Sequence, residues 1–221
     1  MKYLRVSAVA SFFKSPDYID YLEKTVKRER TLAYKKAVKI GSRVDALIKT
    51  STLPTKEDSQ EVTTALQGWT LFLTNYPAYR RSIAARLVDE KLGITGEPDL
   101  YFNNNEVSDL KVALAVRFEY WVQLGGYLCL PLPFEPSRAS IVRLDKNHCA
   151  YEYKVKENVS DLRTLFIGEL NKVRAYIEEN NYDDTDISIE SSDLGVNRPA
   201  DPETRGIEQV GGPEVPCVWA N

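Results

Sequence analysis

The spacing of apolar residues changes at Pro77, and this change constrains the fold more than any other feature of the sequence. Before that proline, apolar residues recur every three or four positions over residues 16–49 and 56–75, the period of amphipathic helices. After it, the chain breaks into short strand-like runs, at residues 83–92, 94–102 and 106–112. We therefore predict an N-terminal helical region followed by a sheet.

Three consecutive asparagines, residues 103–105, separate the last two of these runs. Asparagine tolerates left-handed turn conformations, so the triplet predicts a hairpin tip. The remaining predicted elements are a helix over 115–130, strands over 140–144 and 150–155, and a helix over 159–180. This order predicts an α/β fold in which a mixed central sheet is flanked by helices.

Charge is distributed unevenly along the 221 residues. Residues 181–221 carry nine acidic and two basic side chains, a net of −7, and lack a sustained apolar period. We therefore expect a single domain over residues 1–180 and an acidic, irregular tail over 181–221. Residues 1–50 carry twelve basic and five acidic side chains, a net of +7. A basic front suits a protein that binds a polyanion such as DNA, although a solvated charged helix accounts for the same charges.

No segment has the composition of a membrane span or of a signal peptide. The longest apolar region, residues 124–134, is interrupted by glycines and prolines, and the apolar run near the N-terminus is short. The three cysteines are widely spaced, which argues against a disulfide framework and against a zinc or iron–sulfur site. We expect a cytoplasmic protein, in the host cytoplasm if the chain is viral, with no membrane partner.

Two carboxylates and a lysine lie on the predicted hairpin, at Asp99, Asp109 and Lys111. Residues two apart on a strand share a face, so Asp109 and Lys111 should project together. Asp99, near the end of the preceding strand, can lie opposite them. Two neighbouring carboxylates repel unless a cation compensates them, and such a pair suits Mg²⁺. A lysine there can orient a water molecule and stabilise charge developing on a phosphate.

Pro98-Asp99 followed by Asp109-Leu110-Lys111 resembles the signature of the PD-(D/E)XK nuclease superfamily. Further elements follow the order typical of its RecB-like and lambda-exonuclease-like branch. They are Gly96 before Asp99, Gln123 and Tyr127 as a Q-x-x-x-Y element on the next helix, Gly41 to Asp45 as a G-x-x-x-(E/H)-like run, and the opening residues 7–18. The resemblance spans residues 7–130 and implies a restriction-endonuclease-like core.

The resemblance also implies roles for these residues. Asp99, Asp109 and the backbone carbonyl of Leu110 would hold Mg²⁺, with Mn²⁺ as a substitute. Lys111 would position the attacking water. Gln123 and Tyr127 would orient the lysine or the strand being cut; without the motif, a core tyrosine beside an amide explains them equally well.

The additional metal ligand is open between two residues. Asp45 occupies the acidic position of the G-x-x-x-(E/H) element but has a shorter reach than the usual glutamate. Glu90 lies on the run that enters the hairpin, where RecB-like members often carry a glutamate. We favour Asp45, and we expect Gly41 to mark a break in the helix or its close approach to the sheet.

Arg43, Arg80 and Arg81 are candidates for binding DNA phosphates, although each can equally serve to solvate a helix. The resemblance implies a Mg²⁺-dependent nuclease that hydrolyses DNA phosphodiester bonds, an exonuclease of phage-type recombination, replication or repair. The alternative is a catalytically inactive nuclease-fold module for DNA binding or assembly. Assembly as a homo-oligomer or with a partner recombination protein stays open.

Overall fold

The computed structural model describes residues 3–12, 27–77, 81–103 and 105–179, with side chains from residue 32 onwards in the second range. The helices are α1 Val6–Phe12, α2 Lys27–Thr50, α3 Gln60–Asn75, α4 Phe118–Leu128 and α5 Val159–Glu179. The strands are β1 Leu4–Arg5, β2 Arg81–Ile83, β3 Leu87–Asp89, β4 Ile94–Gly96, β5 Leu100–Phe102, β6 Glu106–Val112, β7 Arg138–Leu144 and β8 Tyr151–Lys156. No helix among these is long and apolar enough to cross a membrane.

The main sheet has five strands in the order β2-β5-β6-β7-β8. Strands β6 and β7 run parallel, joined through α4, and the other neighbouring pairs run antiparallel. A smaller sheet has the order β1-β4-β3. The main sheet is therefore mixed, and β6 is at its centre.

Helices cover both faces of the main sheet. One apolar core joins it to α1, α4 and α5, and a second joins it to α2 and α3. Side chains alternate between the faces along β6, so Val107 enters the first core and Leu110 the second. The predicted α/β architecture, a mixed central sheet flanked by helices, is confirmed.

The start of β6 carries a buried polar network. Glu106 is fully buried, and its carboxylate accepts hydrogen bonds from Ser140 and from Tyr153. Arg138 Nε lies 2.7 Å from the other carboxylate oxygen, and Ser140 also contacts the hydroxyl of Ser108. The network joins β6 to β7 and β8, and Arg138 balances the negative charge of Glu106.

The hairpin at the asparagine triplet is confirmed, but the strands before it differ from the prediction. Strands β5 and β6 pair antiparallel, and Asn103 has the expected positive φ, 53°. The predicted strand over 94–102 is split, because Pro98 has no N–H to donate to a ladder. Its two parts, β4 and β5, belong to different sheets, and Asp99 lies in the break between them.

The expectation for Gly41 is wrong. Helix α2 continues through it, and a Cβ at this position would meet no heavy atom of the described structure within 4 Å. The predicted start of the first helix near Pro16 and the predicted tail over 181–221 lie outside the described residues.

Two other glycines do permit close packing. A Cβ on Gly125 would collide with the backbone oxygen of Leu162 in α5, and one on Gly126 would lie 2.5 Å from the side chain of Val6 in α1. Helix α4 can therefore press against both neighbours only with glycine at these positions.

We predict that Gly125→Ala lowers the free energy of unfolding by about 1–3 kcal/mol, because the new methyl group forces α4 and α5 apart. Gly168→Ala, within α5, is the matched control, since the described structure leaves its Cβ position open. This control should raise the free energy of unfolding by about 0.5–1 kcal/mol through helix propensity. Chemical denaturation measures both, and equal effects of the two substitutions would contradict the packing described.

Candidate active site

A cleft of about 270 Å³ opens where the end of β6 passes α2. It is lined by Gly41, Ser42, Asp45, Asp99, Leu110, Lys111 and Val112. Helix α2 supplies the first three residues, the β4–β5 connection supplies Asp99, and β6 supplies the rest. Several of the residues singled out in the sequence therefore meet at one opening.

The hairpin register brings Asp99 to β6. Leu100 pairs with Ser108, so Asp99 falls beside the following residues of β6. The backbone N–H of Leu110 donates a 2.8 Å hydrogen bond to Asp99 Oδ2. Asp99, Asp109 and Lys111 therefore lie together although Asp99 precedes the strand.

Asp109 is fully buried behind the cleft. Burial, together with the nearby charge of Asp99, raises the pKa of the Asp109 carboxyl to about 7, and the ammonium of Lys111 opposes this only in part. Within the described residues, neither carboxylate oxygen of Asp109 accepts a hydrogen bond, although Oδ2 forms an ion pair with Lys111. A buried carboxylate in this state favours binding of a further cation.

Lys111 joins Asp109 to the opening of the cleft. Its Nζ lies 2.6 Å from Asp109 Oδ2 and 5.4 Å from the ring centre of Tyr120. Burial alone would lower the pKa of Lys111, but the carboxylates of Asp109 and Asp99 outweigh burial and raise it. The lysine is therefore held in its charged form beside the carboxylate pair.

Helix α4 presents Gln123 and Tyr127 to the same place. Gln123 Nε2 donates a 2.5 Å hydrogen bond to Tyr127 Oη. Burial, and next the charges of Asp109 and Asp99, raise the pKa of Tyr127. A Cβ on Gly96 would lie 3.1 Å from the ring of Tyr127, so glycine at that position gives the ring its room.

Asp45 faces the cleft from α2 and forms an ion pair with Lys49, a residue that the sequence did not indicate. Lys49 Nζ lies 3.0 Å from Asp45, 3.6 Å from Glu97 and 3.7 Å from Asp99. Burial raises the pKa of Asp45, while the hydrogen bond from Lys49 lowers it. The four-residue spacing of Asp45 and Lys49 on one helix was a signal that could have identified this pair. Glu97, the residue before Pro98, is another group near Lys49 that the sequence did not indicate.

The residues present fit Mg²⁺ in part. Within the described ranges, no group of three or more His, Cys, Asp or Glu side chains is arranged to hold a metal ion. Mg²⁺ commonly binds through one or two carboxylates and completes its shell with water and substrate phosphate. Asp99 and Asp109 provide that pair, and Asp45 Oδ1 is buried without a hydrogen-bond partner within the described structure.

The other predicted site residues lie elsewhere or are already engaged. Glu90 is exposed in the turn after β3 and does not line the cleft. Arg43 donates two hydrogen bonds, of 2.6 and 2.9 Å, to the carboxylate of Asp58. Arg81 donates to Ser51 and lies over the ring of Trp69. Arg80 lies outside the described residues, so binding of DNA by these three arginines stays a prediction.

Structural comparison finds similarity to one solved exonuclease and to a further protein, SSO0001. An alkaline exonuclease from Laribacter hongkongensis, LHK-Exo, matches with a TM-score of 0.44 and 12% sequence identity, over 81% of this chain and 91% of that enzyme. The same enzyme in complex with dAMP gives a TM-score of 0.40 at 12% identity over the same shares. SSO0001 gives 0.35 at 13% identity, over 77% of this chain and 76% of that chain. No protein-family model and no curated protein sequence matches this chain.

We predict that Asp45→Asn weakens Mg²⁺ binding by about 10-fold or more, the cost of losing a supporting group at a metal site. Glu90→Gln, exposed and away from the cleft, is the matched control and should bind Mg²⁺ like the unchanged chain. Isothermal titration calorimetry measures both. If only Glu90→Gln lost Mg²⁺ affinity, Glu90 rather than Asp45 would be the additional metal ligand.

We also predict that Mg²⁺ affinity falls as the pH drops below about 7, because the Asp109 carboxyl then holds a proton that the metal must displace. The fall should approach about 10-fold per pH unit, whereas carboxyls of ordinary pKa would lose their protons well below pH 6. Titrations at pH 6 and pH 8 test this. Equal affinities at the two pH values would contradict displacement of an Asp109 proton by the metal.

Proposed function

We propose that the chain is a Mg²⁺-dependent deoxyribonuclease that hydrolyses phosphodiester bonds. The observation that carries the proposal is the buried carboxylate of Asp109, held next to Asp99 and Lys111 behind an open cleft. A buried carboxylate with a raised pKa costs stability, and such groups are concentrated at functional sites. Two acids and a lysine next to an open cleft suit metal-assisted phosphodiester hydrolysis.

In this proposal Asp99, Asp109 and the Leu110 carbonyl hold Mg²⁺ or Mn²⁺, and Asp45 supports the site from α2. The bound ion would supply Lewis-acid polarisation of the phosphate and neutralise the carboxylate pair. Lys111 Nζ donates hydrogen bonds, orienting the attacking water and stabilising charge that develops on the phosphate oxygens. Tyr127, hydrogen-bonded to Gln123, keeps the lysine or the bound strand in place.

The assignment as an exonuclease of phage-type recombination, replication or repair rests on the Q-x-x-x-Y element alone. Gln123 and Tyr127 are four residues apart on α4 and hydrogen-bonded to each other, in agreement with such an element. The members of the superfamily that this element resembles process DNA ends. Comparing cleavage of linear and circular DNA tests the assignment separately from hydrolysis itself.

One observation favours a second candidate, an inactive nuclease-fold module that binds DNA. The Lys49 ammonium lies within 3.7 Å of the carboxylates of Asp45, Glu97 and Asp99. A lysine in this position partly neutralises the acidic cluster without a metal ion. Under this alternative DNA binding persists and hydrolysis is absent.

We predict hydrolysis of end-labelled linear DNA that requires Mg²⁺ and stops in EDTA. Asp109→Asn should reduce the rate by about 100-fold or more, since it removes a metal-binding carboxylate. Its melting temperature should stay close to that of the unchanged chain, because the amide removes an unfavourably buried charge while Asp99 still balances Lys111. Glu90→Gln is the control and should keep full activity. Hydrolysis that survives EDTA, or that Asp109→Asn leaves intact, would refute the metal mechanism.

A further inference from the structure

One part of α2, residues 32–39, is exposed along its whole length. All residues over 32–39 are exposed, whereas Ile40, Val44 and Leu47 enter the apolar core. This exposed part carries large apolar side chains, with Tyr34 63% exposed and Val38 47% exposed. A contiguous exposed apolar surface commonly marks a binding site.

Helix geometry aligns these side chains with the cleft. At about 100° per residue, Tyr34 and Val38 each point within about 20° of the direction of Asp45. Gly41, which lines the cleft, lies between Val38 and Asp45 on nearly the same face. Tyr34 is about 16 Å along the helix axis from Asp45. A continuous path therefore leads from Tyr34 to the candidate metal site.

Positive charge follows one side of this path. Residues 32–39 contain three lysines and no acidic residue. Lys36 points to the opposite side of the helix and forms an ion pair with Glu61 of α3. Lys35 and Lys39 lie on the solvent side next to Tyr34 and Val38, and neither is ion-paired within the described part of the chain. We call Tyr34, Lys35, Val38 and Lys39 the α2 track.

Resting on the proposed function, we propose that the α2 track binds an unpaired DNA strand and leads it into the cleft. The exposed ring of Tyr34 can stack on a base, and Lys35 and Lys39 can bind phosphates. In a duplex, neighbouring bases cover the faces that such a ring needs, so the track selects single-stranded DNA. About 16 Å corresponds to about five nucleotides at 3.4 Å each along one strand, or fewer in an extended strand.

The test measures binding of a fluorescently labelled 12-nucleotide single strand in EDTA, on full-length protein carrying Asp109→Asn so that no strand is cut. Adding Tyr34→Ala should weaken binding by roughly 5- to 150-fold, the range for losing one stacked base. Tyr34→Phe, which retains the ring, should restore it. Binding of a blunt duplex should change much less.

Lys35→Ala and Lys36→Ala change the net charge of the protein equally and provide a matched comparison. Lys35→Ala should lower the slope of log affinity against log salt concentration by about 0.7, the value for one phosphate contact on a single strand. Lys36→Ala removes the same charge from the opposite face and should leave the slope unchanged. Equal effects of the two substitutions would overturn the proposal.

Other outcomes assign the surface to another occupant and also overturn the proposal. Tighter DNA binding after Lys35→Ala and Lys39→Ala would indicate that the acidic segment 181–221 covers the track. A dimer that Tyr34→Ala converts to a monomer would indicate a second copy of the chain. The test separates the α2 track from the proposed nuclease. Normal hydrolysis together with unchanged DNA binding after Tyr34→Ala would refute only the track. DNA binding that depends on the track, without hydrolysis, would refute only the catalytic proposal.

Discussion

The hydrogen bond from the Leu110 N–H to Asp99 joins β6 to the connection between β4 and β5. Pro98 ends the backbone ladder just before Asp99, so a side chain takes over the pairing that the backbone cannot make. The same bond brings one carboxylate close to a second, Asp109, whose charge the protein interior disfavours. The proximity of two acids, which makes the site unfavourable when empty, is also the property that attracts a cation.

The site depends on helices from both faces of the sheet, and they contribute differently. Helix α4 reaches the acids because glycines remove the obstacles: Gly125 and Gly126 on its packed face, and Gly96 beneath the ring of Tyr127. Helix α2 needs no such glycine and brings charge instead, with Asp45 and Lys49 on the turn nearest the cleft. One helix therefore fixes geometry, and the other sets the electrostatic balance.

The sequence predicted the parts of the site that local spacing determines. Asp109 and Lys111 share a face because they are two apart on a strand, and the asparagine triplet indicated the hairpin that presents them. It did not predict how Pro98 divides the strand between two sheets, because that depends on partners distant in sequence. The intramolecular partners of Arg43 and Arg81 were unforeseen for the same reason, since Asp58 and Trp69 become neighbours only after folding. The empty space at Gly41 shows that glycine in a helix does not always mark a close approach.

The buried network at Glu106 has a consequence for the distant end of the same strand. Strand β6 carries acidic side chains on both faces, Glu106 towards α2 and α3 and Asp109 towards α4. A shift of one residue against β7 would move Glu106 into the opposite apolar core, away from Arg138. Arg138 therefore excludes misaligned pairings of the strand, and its partner Glu106 lies three residues before Asp109 in the candidate site. Weakening this ion pair would reduce the fraction of molecules with an assembled site while leaving each correctly paired molecule fully competent.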